Sequence, residues 1–215
     1  MGDSKCRLDV LHNFFPVEDI APSKSSLHND GKLHLLSVGR LVKEKNYDLA
    51  LQTAAELKAR GIAFVWDIIG DGPEREKLDA QAAALGLKNC VHFIGAKRGW
   101  RNDYPVNTVY VQTSNSEGWG LAPEEASLCG MRVVCTDLPV FHEVSDWIGG
   151  TFAFAITAQE FADKIGELRR NQITGCAESV LAGYKRDREK FLKHLSGFLY
   201  DNGAVLSEFE ELING

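Results

Sequence analysis

A chain of 215 residues, 44% hydrophobic and 25% charged, has the composition of a globular protein able to bury a core without disulfide or metal staples. Its formal charge of −6 argues against a nucleic-acid or anionic-membrane surface, so a bound phosphate would need local positive charge. Cys6, Cys90, Cys129, Cys135 and Cys176 are odd in number and scattered in apolar surroundings, as in reduced cytoplasmic proteins, and no run reaches the length of a membrane span.

In chain order, residues 7–20 hold a short strand-like piece ending in a proline turn, and 21–32, with Pro22, Asn29 and Gly31, read as a surface loop. Residues 33–39 form a compact apolar run interrupted by His34 and Ser37, as expected of a parallel strand buried on both faces. The next loop, 39–45, reads G-R-L-V-K-E-K. It puts the guanidinium of Arg40 and the ammonium of Lys45 at the carboxyl end of a strand, a pair suited to clamping phosphate oxygens. A solvated basic loop with Glu44 pairing locally fits the same residues, and is the reading for Lys43. Asn46 is expected to cap a helix that runs to about residue 60 and stops at Gly61. Residues 64–69 are the second strand. A G-D-G-P turn follows, with Asp71 as a turn former, and Pro73 is expected to start a helix that ends at Gly86. Residues 91–94 are a third strand ended by Gly95. Gly99 and Pro105 oppose a helix over 97–107. In that loop Lys97, Arg98 and Arg101 with Trp100 and Tyr104 either contact a ligand or form a surface segment with both aromatics tucked inward.

A β-branched strand over 108–112 delivers the chain to Glu117. Gly118 and Gly120 flank Trp119 and permit positive φ or close approach to a ligand. Residues 121–128 read as a helix with Pro123 in its first turn, Cys129 and Gly130 close it, and 132–135 form a buried strand. The free N–H groups of a glycine turn and helix start make an anion site, while carboxylates such as Glu117 and Glu125 accept hydrogen bonds from hydroxyls. Phosphate plus sugar hydroxyls describes a nucleotide sugar. The plainer reading is that Glu124 and Glu125 oppose the helix dipole and Trp119 packs. Residues 139–146 are a helix, 151–155 a weak last strand, and Thr157 with Glu160 a capping box before Phe161, Ile165 and Leu168 on one helical face. Residues 176–215 read as helical with breaks near Gly197 and Gly203. The fold class is α/β: a doubly wound, mostly parallel sheet in three α/β/α layers. Its loops 39–45, 70–73, 95–97 and 115–121 all follow strands and gather on one edge.

The string E-G-W-G-L-A-P-E-E-A-S-L-C-G-M-R-V-V resembles the E-x7-E signature of the retaining, group 1 (family 4) glycosyltransferases of GT-B fold, with Arg132 where that family usually has proline. The loop 39–45 resembles the family's G-R-L-x-x-x-K, 70–73 its G-x-G-P turn, and 7–20 its connector between halves. The resemblance implies a Rossmann-like half of a GT-B enzyme: residues 1–20 a linker-like lead-in, 21–170 the donor domain, 171–215 helices packed on it, and an N-terminal acceptor domain absent. It implies a hexosyltransferase, inactive in transfer as this chain alone, with Glu117, Arg40 and Lys45 as catalytic residues. Arg40 and Lys45 would bind the diphosphate, Glu117 the donor sugar's hydroxyls and Glu125 the ribose, with the backbone at Gly95 and Ala96 facing the base. Gly39, Gly118, Trp119, Gly120 and Leu121 complete the substrate site. No D-x-D triplet occurs, so neither metal nor cofactor is expected beyond the nucleotide sugar. The expected partners are that substrate, the absent domain and a saccharide or lipid-linked saccharide acceptor, not nucleic acid. The expected location is cytoplasmic, with any peripheral membrane association made through the absent domain. A nucleotide(-sugar)-binding module without turnover, or half of a GT-B-like epimerase or phosphorylase, remains compatible, although the last two usually lack the E-x7-E string.

Overall fold

The computed structural model describes residues 28–170 and 182–185, so the expectations for 1–20 and most of 171–215 lie outside the described residues. Among the described residues the elements of the sheet and its helical layers are β1 (Leu33–Val38), α1 (Tyr47–Ala59), β2 (Phe64–Ile69), α2 (Arg75–Ala84), β3 (Val91–Gly95), β4 (Val109–Gln112), α3 (Leu121–Leu128), β5 (Arg132–Thr136), α4 (Pro139–Ile148), β6 (Phe152–Ala155) and α5 (Ala158–Arg170). All strand pairs are parallel, in the order β3-β2-β1-β4-β5-β6. The chain runs outward from β1 through β2 to β3, then returns to lay β4 on β1's other side. That reversal opens a crevice at the carboxyl ends of β1 and β4. The doubly wound sheet read from the sequence is therefore present.

The period-2 alternation of the strands distributes side chains to two helical layers. Val109 and Val111 of β4 join Leu35, Trp66, Ile68 and the α1, α2 and α5 residues Leu51, Leu57, Leu78, Phe161 and Ile165 on one face. Tyr110 faces the other way, with Leu36, Ile69, Ala126, Val133 and Phe141, under α3 and α4. Burying a side chain such as Phe161 or Ile165, each wholly enclosed, contributes about 1.5–3 kcal/mol. Ser37, odd in an apolar strand, donates its hydroxyl to the Val111 carbonyl at 2.6 Å and accepts the Trp66 indole N–H at 3.0 Å. A buried hydroxyl is thus satisfied and ties β1 to both neighbours.

Several local expectations need correction. Asn46 precedes α1, but with φ of 48° and no side-chain bond to the helix; its amide donates to Asn115 Oδ1 at 2.9 Å instead. Helix α2 starts at Arg75 and not at Pro73: its first i→i−4 bond runs from Leu78 N–H to the Glu74 carbonyl, and the unpaired Glu74 N–H donates to the Leu41 carbonyl. Residues 97–107 hold no α-helix, as read, but do contain one 3-10 turn, Trp100–Asn102, with Trp100 buried against Tyr110 and Tyr104 O–H donating to Asp67, so both aromatics do turn inward. Arg132 opens β5 and donates to the Leu168 carbonyl in the last turn of α5, where a guanidinium suits unpaired carbonyls and the negative end of the dipole. Thr157 and Glu160 form the expected reciprocal cap. Among the described residues no helix is long and apolar enough to cross a membrane.

Candidate functional site

The crevice is walled on one side by the loop after β1. Gly39 N–H donates to the Ile69 carbonyl, Leu41 N–H to Asp71 and Glu74 N–H to Leu41, so the loops after β1 and β2 are laced together. A methyl on Gly70 would fall 1.8 Å from the Gly39 carbonyl oxygen, and one on Gly72 would fall 2.5 Å from that of Leu41. The G-D-G-P turn carries glycines because the neighbouring backbone leaves no room for a Cβ. Asp71 Oδ1 accepts the Gly72 N–H, in keeping with a turn former. Gly95 follows on, its carbonyl accepting the Gly70 N–H at 2.9 Å, with Ala96 exposed beside it.

The other wall is the stretch after β4. Three contacts draw it to the first: Asn115 N–H to the Glu44 carbonyl at 2.8 Å, Thr113 hydroxyl to the Lys45 carbonyl at 3.1 Å, and the Asn46–Asn115 amide pair. They bring Lys45 Nζ to 2.5 Å from Glu117 Oε1. Gln112 Nε2 at 2.9 Å and the Ser114 hydroxyl at 2.7 Å donate to the same oxygen. Tyr110 hydroxyl, 2.8 Å from Gln112 Oε1 and 3.2 Å from the Val38 carbonyl, carries this network back to β1. The carboxylate is thus fixed through Oε1, while Oε2 takes part in none of these bonds. Arg40 is exposed at the mouth and makes no ion pair with a described residue.

Beyond Glu117 the chain turns at Gly120, φ 95°, where a Cβ would meet Phe141 Cε1 at 2.6 Å. Gly118 differs: a methyl there meets nothing within 4 Å and its φ is not positive, so only Gly120 needs its conformational freedom. Leu121, 46% exposed, starts α3 with the unpaired N–H groups of any helix start. Glu125 lies one turn in and pairs with Arg101 Nη1 at 2.8 Å, the two side chains only 15% and 23% exposed. Burial pushes the Glu125 carboxyl above its ordinary range, and Arg101 pulls it back. Next to it Glu124 is wholly buried and accepts the Trp119 indole N–H at 2.7 Å. Burial raises its carboxyl to about 7, with the Trp119 bond opposing and the Glu125 charge adding.

The structure therefore brings Gly39, Lys45, Glu117, Gly118, Trp119, Gly120 and Leu121 to one crevice. Arg40 is at its mouth, Gly95 and Ala96 lie along the same edge, and Glu125 is held by Arg101. Sequence reading missed Tyr110, Gln112, Ser114 and Asn115, whose signal was only polar residues at the end of an apolar strand, and the burial of Glu124. It left Arg101 between ligand contact and surface loop; the ion pair to Glu125 is a third outcome. Among the described residues no three His, Cys, Asp or Glu side chains form a metal-binding group. A separate cavity of about 500 Å³ lies beyond β5 and β6, lined by Asp137, Ile156, Glu160 and Asp163 among others, and touches none of these residues.

Comparison with known proteins gives a match of residues 20–187 to the family model described as glycosyl transferases group 1. A 2-deoxystreptamine glucosyltransferase of Streptomyces kanamyceticus is 40% identical over 82% of this chain and 45% of its own. The chain spans less than half the length of such curated relatives. The pneumococcal O-GlcNAc transferase GtfA, solved with UDP and GlcNAc, superposes with a TM-score of 0.64 at 23% identity, over 83% of this chain and 38% of that one. The C-terminal domain of a group 1 protein from Francisella tularensis superposes with a TM-score of 0.58 at 21% identity, over 81% of this chain and 97% of that one. At these identities the two structures speak to the fold.

Proposed function

Because this chain belongs to the glycosyl transferases of group 1, with the fold of a GT-B C-terminal half, we propose that it binds the nucleoside-diphosphate sugar of a retaining glycosyltransferase. The observation that carries this reading is the meeting of Lys45 and Glu117 across the crevice at 2.5 Å, with Glu117 held independently by Gln112 and Ser114. When a diphosphate enters, Lys45 turns to its oxygens and Glu117 stays in place, its Oε2 directed to hydroxyls of the sugar. Arg40, exposed at the mouth, and the N–H groups of 118–121 complete the phosphate site.

In the reaction an acceptor hydroxyl takes the place of the diphosphate on the anomeric carbon: the carbon–oxygen bond to phosphate breaks, a new glycosidic bond forms, the hydroxyl's proton passes to the departing diphosphate, and the configuration is kept. Negative charge grows on the leaving diphosphate, and cationic and N–H donors already aimed at it lower the barrier. Glu125 takes the ribose hydroxyls by exchanging or sharing its Arg101 partner, and the backbone at Gly39, Gly95 and Ala96 lines the nucleotide. The transferred sugar is a hexose, and no metal is needed, a reading supported by the absent D-x-D and the cationic pair. GtfA was solved with UDP, which makes UDP the first ligand to try. The acceptor belongs to a second domain, since relatives are about twice as long.

Calorimetry of the chain with a panel of nucleoside diphosphates in chelator tests this. UDP is expected to bind without divalent metal, and Lys45→Ala to weaken it by about one to two decades, the equivalent of one charged hydrogen bond. Binding that appears only with magnesium or manganese, or is indifferent to Lys45, would overturn the reading.

A further inference from the structure

Glu124 stands in the first turn of α3, where a surface acid would merely oppose the dipole, yet its side chain is wholly enclosed. Oε2 accepts the Trp119 indole N–H at 2.7 Å; Oε1 is buried with no hydrogen-bond partner. A carboxyl with an unmet buried oxygen costs stability. Leucine would fill similar space without that cost, so what Glu124 adds is its hold on the indole. Trp119 sits between Gly118 and Gly120, its ring packed against the cluster of Leu128, Cys129, Val144 and Ile148. Gly120, at φ 95° with Phe141 hard against it, then turns the chain into α3. The indole is thereby held by apolar packing on its ring and by a carboxyl at its N–H.

We propose that Glu124 is a positioning residue of the donor site: by accepting the Trp119 N–H it fixes the 118–121 turn in the shape that offers its backbone N–H groups to a phosphate. This rests on the reading of that turn as the donor site. Glu124 is enclosed and does not touch the ligand, so it acts only through Trp119.

The state of the carboxyl sets the strength of the hold, because an ionised acceptor binds an N–H more strongly than a neutral one, and burial makes Glu124 titrate at about 7. Among the described residues the titratable groups around it are few; the cluster under Trp119 contributes buried Cys129 and Tyr184, and the segment carrying Tyr184 an exposed Lys185. On its own helix Glu125 is paired with Arg101 from the loop before β4, and ahead of the turn Glu117 is held by Lys45. Helix α4 buries only Phe141, Val144 and Ile148, leaving His142, Glu143 and Asp146 exposed. From β5, Arg132 is engaged by the Leu168 carbonyl. The hold on Trp119 tightens as pH rises through neutrality.

The test follows indole emission of the full chain from pH 5.5 to 8.5 and UDP binding by calorimetry at both ends, in wild type, Glu124→Gln, Glu124→Leu and Trp119→Phe. Wild-type emission is expected to titrate with a midpoint near 7. That titration should vanish in Trp119→Phe, which identifies the reporting indole among the four tryptophans, and in Glu124→Gln. At pH 8.5 Glu124→Gln, which keeps an acceptor, should bind UDP within about threefold of wild type. Glu124→Leu and Trp119→Phe should each bind about five- to tenfold more weakly, and their combination no worse than either. The pH dependence left in Glu124→Gln belongs to the nucleotide and is the baseline. An emission titration that persists in Glu124→Gln, or a folded Glu124→Leu that binds as Glu124→Gln does, overturns the assignment. Should circular dichroism show Glu124→Leu unfolded, Trp119→Phe against Glu124→Gln makes the same comparison. The expected titration with no UDP binding by any form, wild type included, would overturn the donor reading of the turn and the assignment with it, while leaving the Trp119–Glu124 contact itself demonstrated.

Discussion

Adjacent carboxylates in α3 have opposite circumstances: Glu125 faces a guanidinium, whereas Glu124 is wholly buried and faces an indole N–H. The difference has a measurable sign. Glu124 titrates at about 7 in the native protein against an ordinary value of 4.5, so between these the folded chain keeps a proton that the unfolded chain has released. The contribution of Glu124 to stability is therefore greatest below 4.5, falls as pH rises to about 7, and is lost above it. Glu124→Gln removes that slope. Relative to wild type it should gain roughly 3 kcal/mol between pH 4.5 and 8.5, at about 1.4 kcal/mol per unit, as read from urea midpoints; parallel curves would show that Glu124 is ionised throughout. None of this was legible in the sequence. An acid in a first helical turn looks dipole-favourable wherever it occurs, and its burial here is a matter of tertiary packing that no local pattern reveals. Lys45 and Glu117, by contrast, were legible because each sits in a loop directly after a strand, and the order of strands does the rest.

At the scale of elements, boundaries set by glycine were read well, whereas of the two side-chain caps expected the Thr157–Glu160 pair formed and Asn46 did not. The glycine stops after α1, α2 and α3 all have positive φ, Gly61 at 69°, Gly86 at 66° and Gly130 at 86°, and backbone sterics alone require them. Asn46 failed as a cap because its amide is used across the crevice by Asn115, a partner 69 residues away that no local pattern reveals. The start of α3 offers a paired test. Gly120→Ala must place a methyl 2.6 Å from Phe141 at φ 95°, so it should destabilise the fold by about 1–3 kcal/mol and lower nucleotide affinity as well. Gly118→Ala meets open space and should change stability by no more than about 0.5 kcal/mol. Thermal melts of both with UDP titrations check this; equal melting losses would mean that the turn is not shaped as described. Any affinity lost by Gly118→Ala at unchanged stability then measures contact between that position and the ligand.

For the molecule as a whole, the alternation of apolar strands with helices announced the doubly wound architecture. The order β3-β2-β1-β4-β5-β6 was not written in any one segment, since it depends on which edge of β1 receives β4. On the proposed reading the donor loops lie on one rim of one sheet, and the acceptor would be presented to that rim by another domain. Holding donor and acceptor together accounts for roughly 7–11 kcal/mol of barrier lowering in well-oriented reactions. This chain by itself is therefore expected to bind donor and transfer no sugar, with slow donor hydrolysis as its residual activity. Comparing it with a chain extended to the full length of its relatives, on the same donor and candidate acceptors, checks this, and analysis of product anomers in the longer form checks retention. Equal turnover by both would show that a single wall suffices.

The lacing of the loops after β1 and β2 has a consequence for how fast the crevice exchanges with its surroundings. Leu41 and Glu74 lie in loops, on the open rim, where backbone amides ordinarily trade hydrogen for deuterium within moments; here both N–H groups are committed to carbonyls of the facing loop, while Gly39 donates to Ile69 at the end of β2 and Gly70 to Gly95 at the end of β3. Opening the Leu41 or Glu74 bond means parting two loops whose glycines leave no space between them, and the other two bonds continue the sheet, so the four amides should be protected to nearly the depth of the central strands. Deuterium uptake resolved to single amides would then show a slow patch on a fast rim. The wall formed by these two loops would be set before any ligand arrives, leaving the Lys45 side chain as the part that moves.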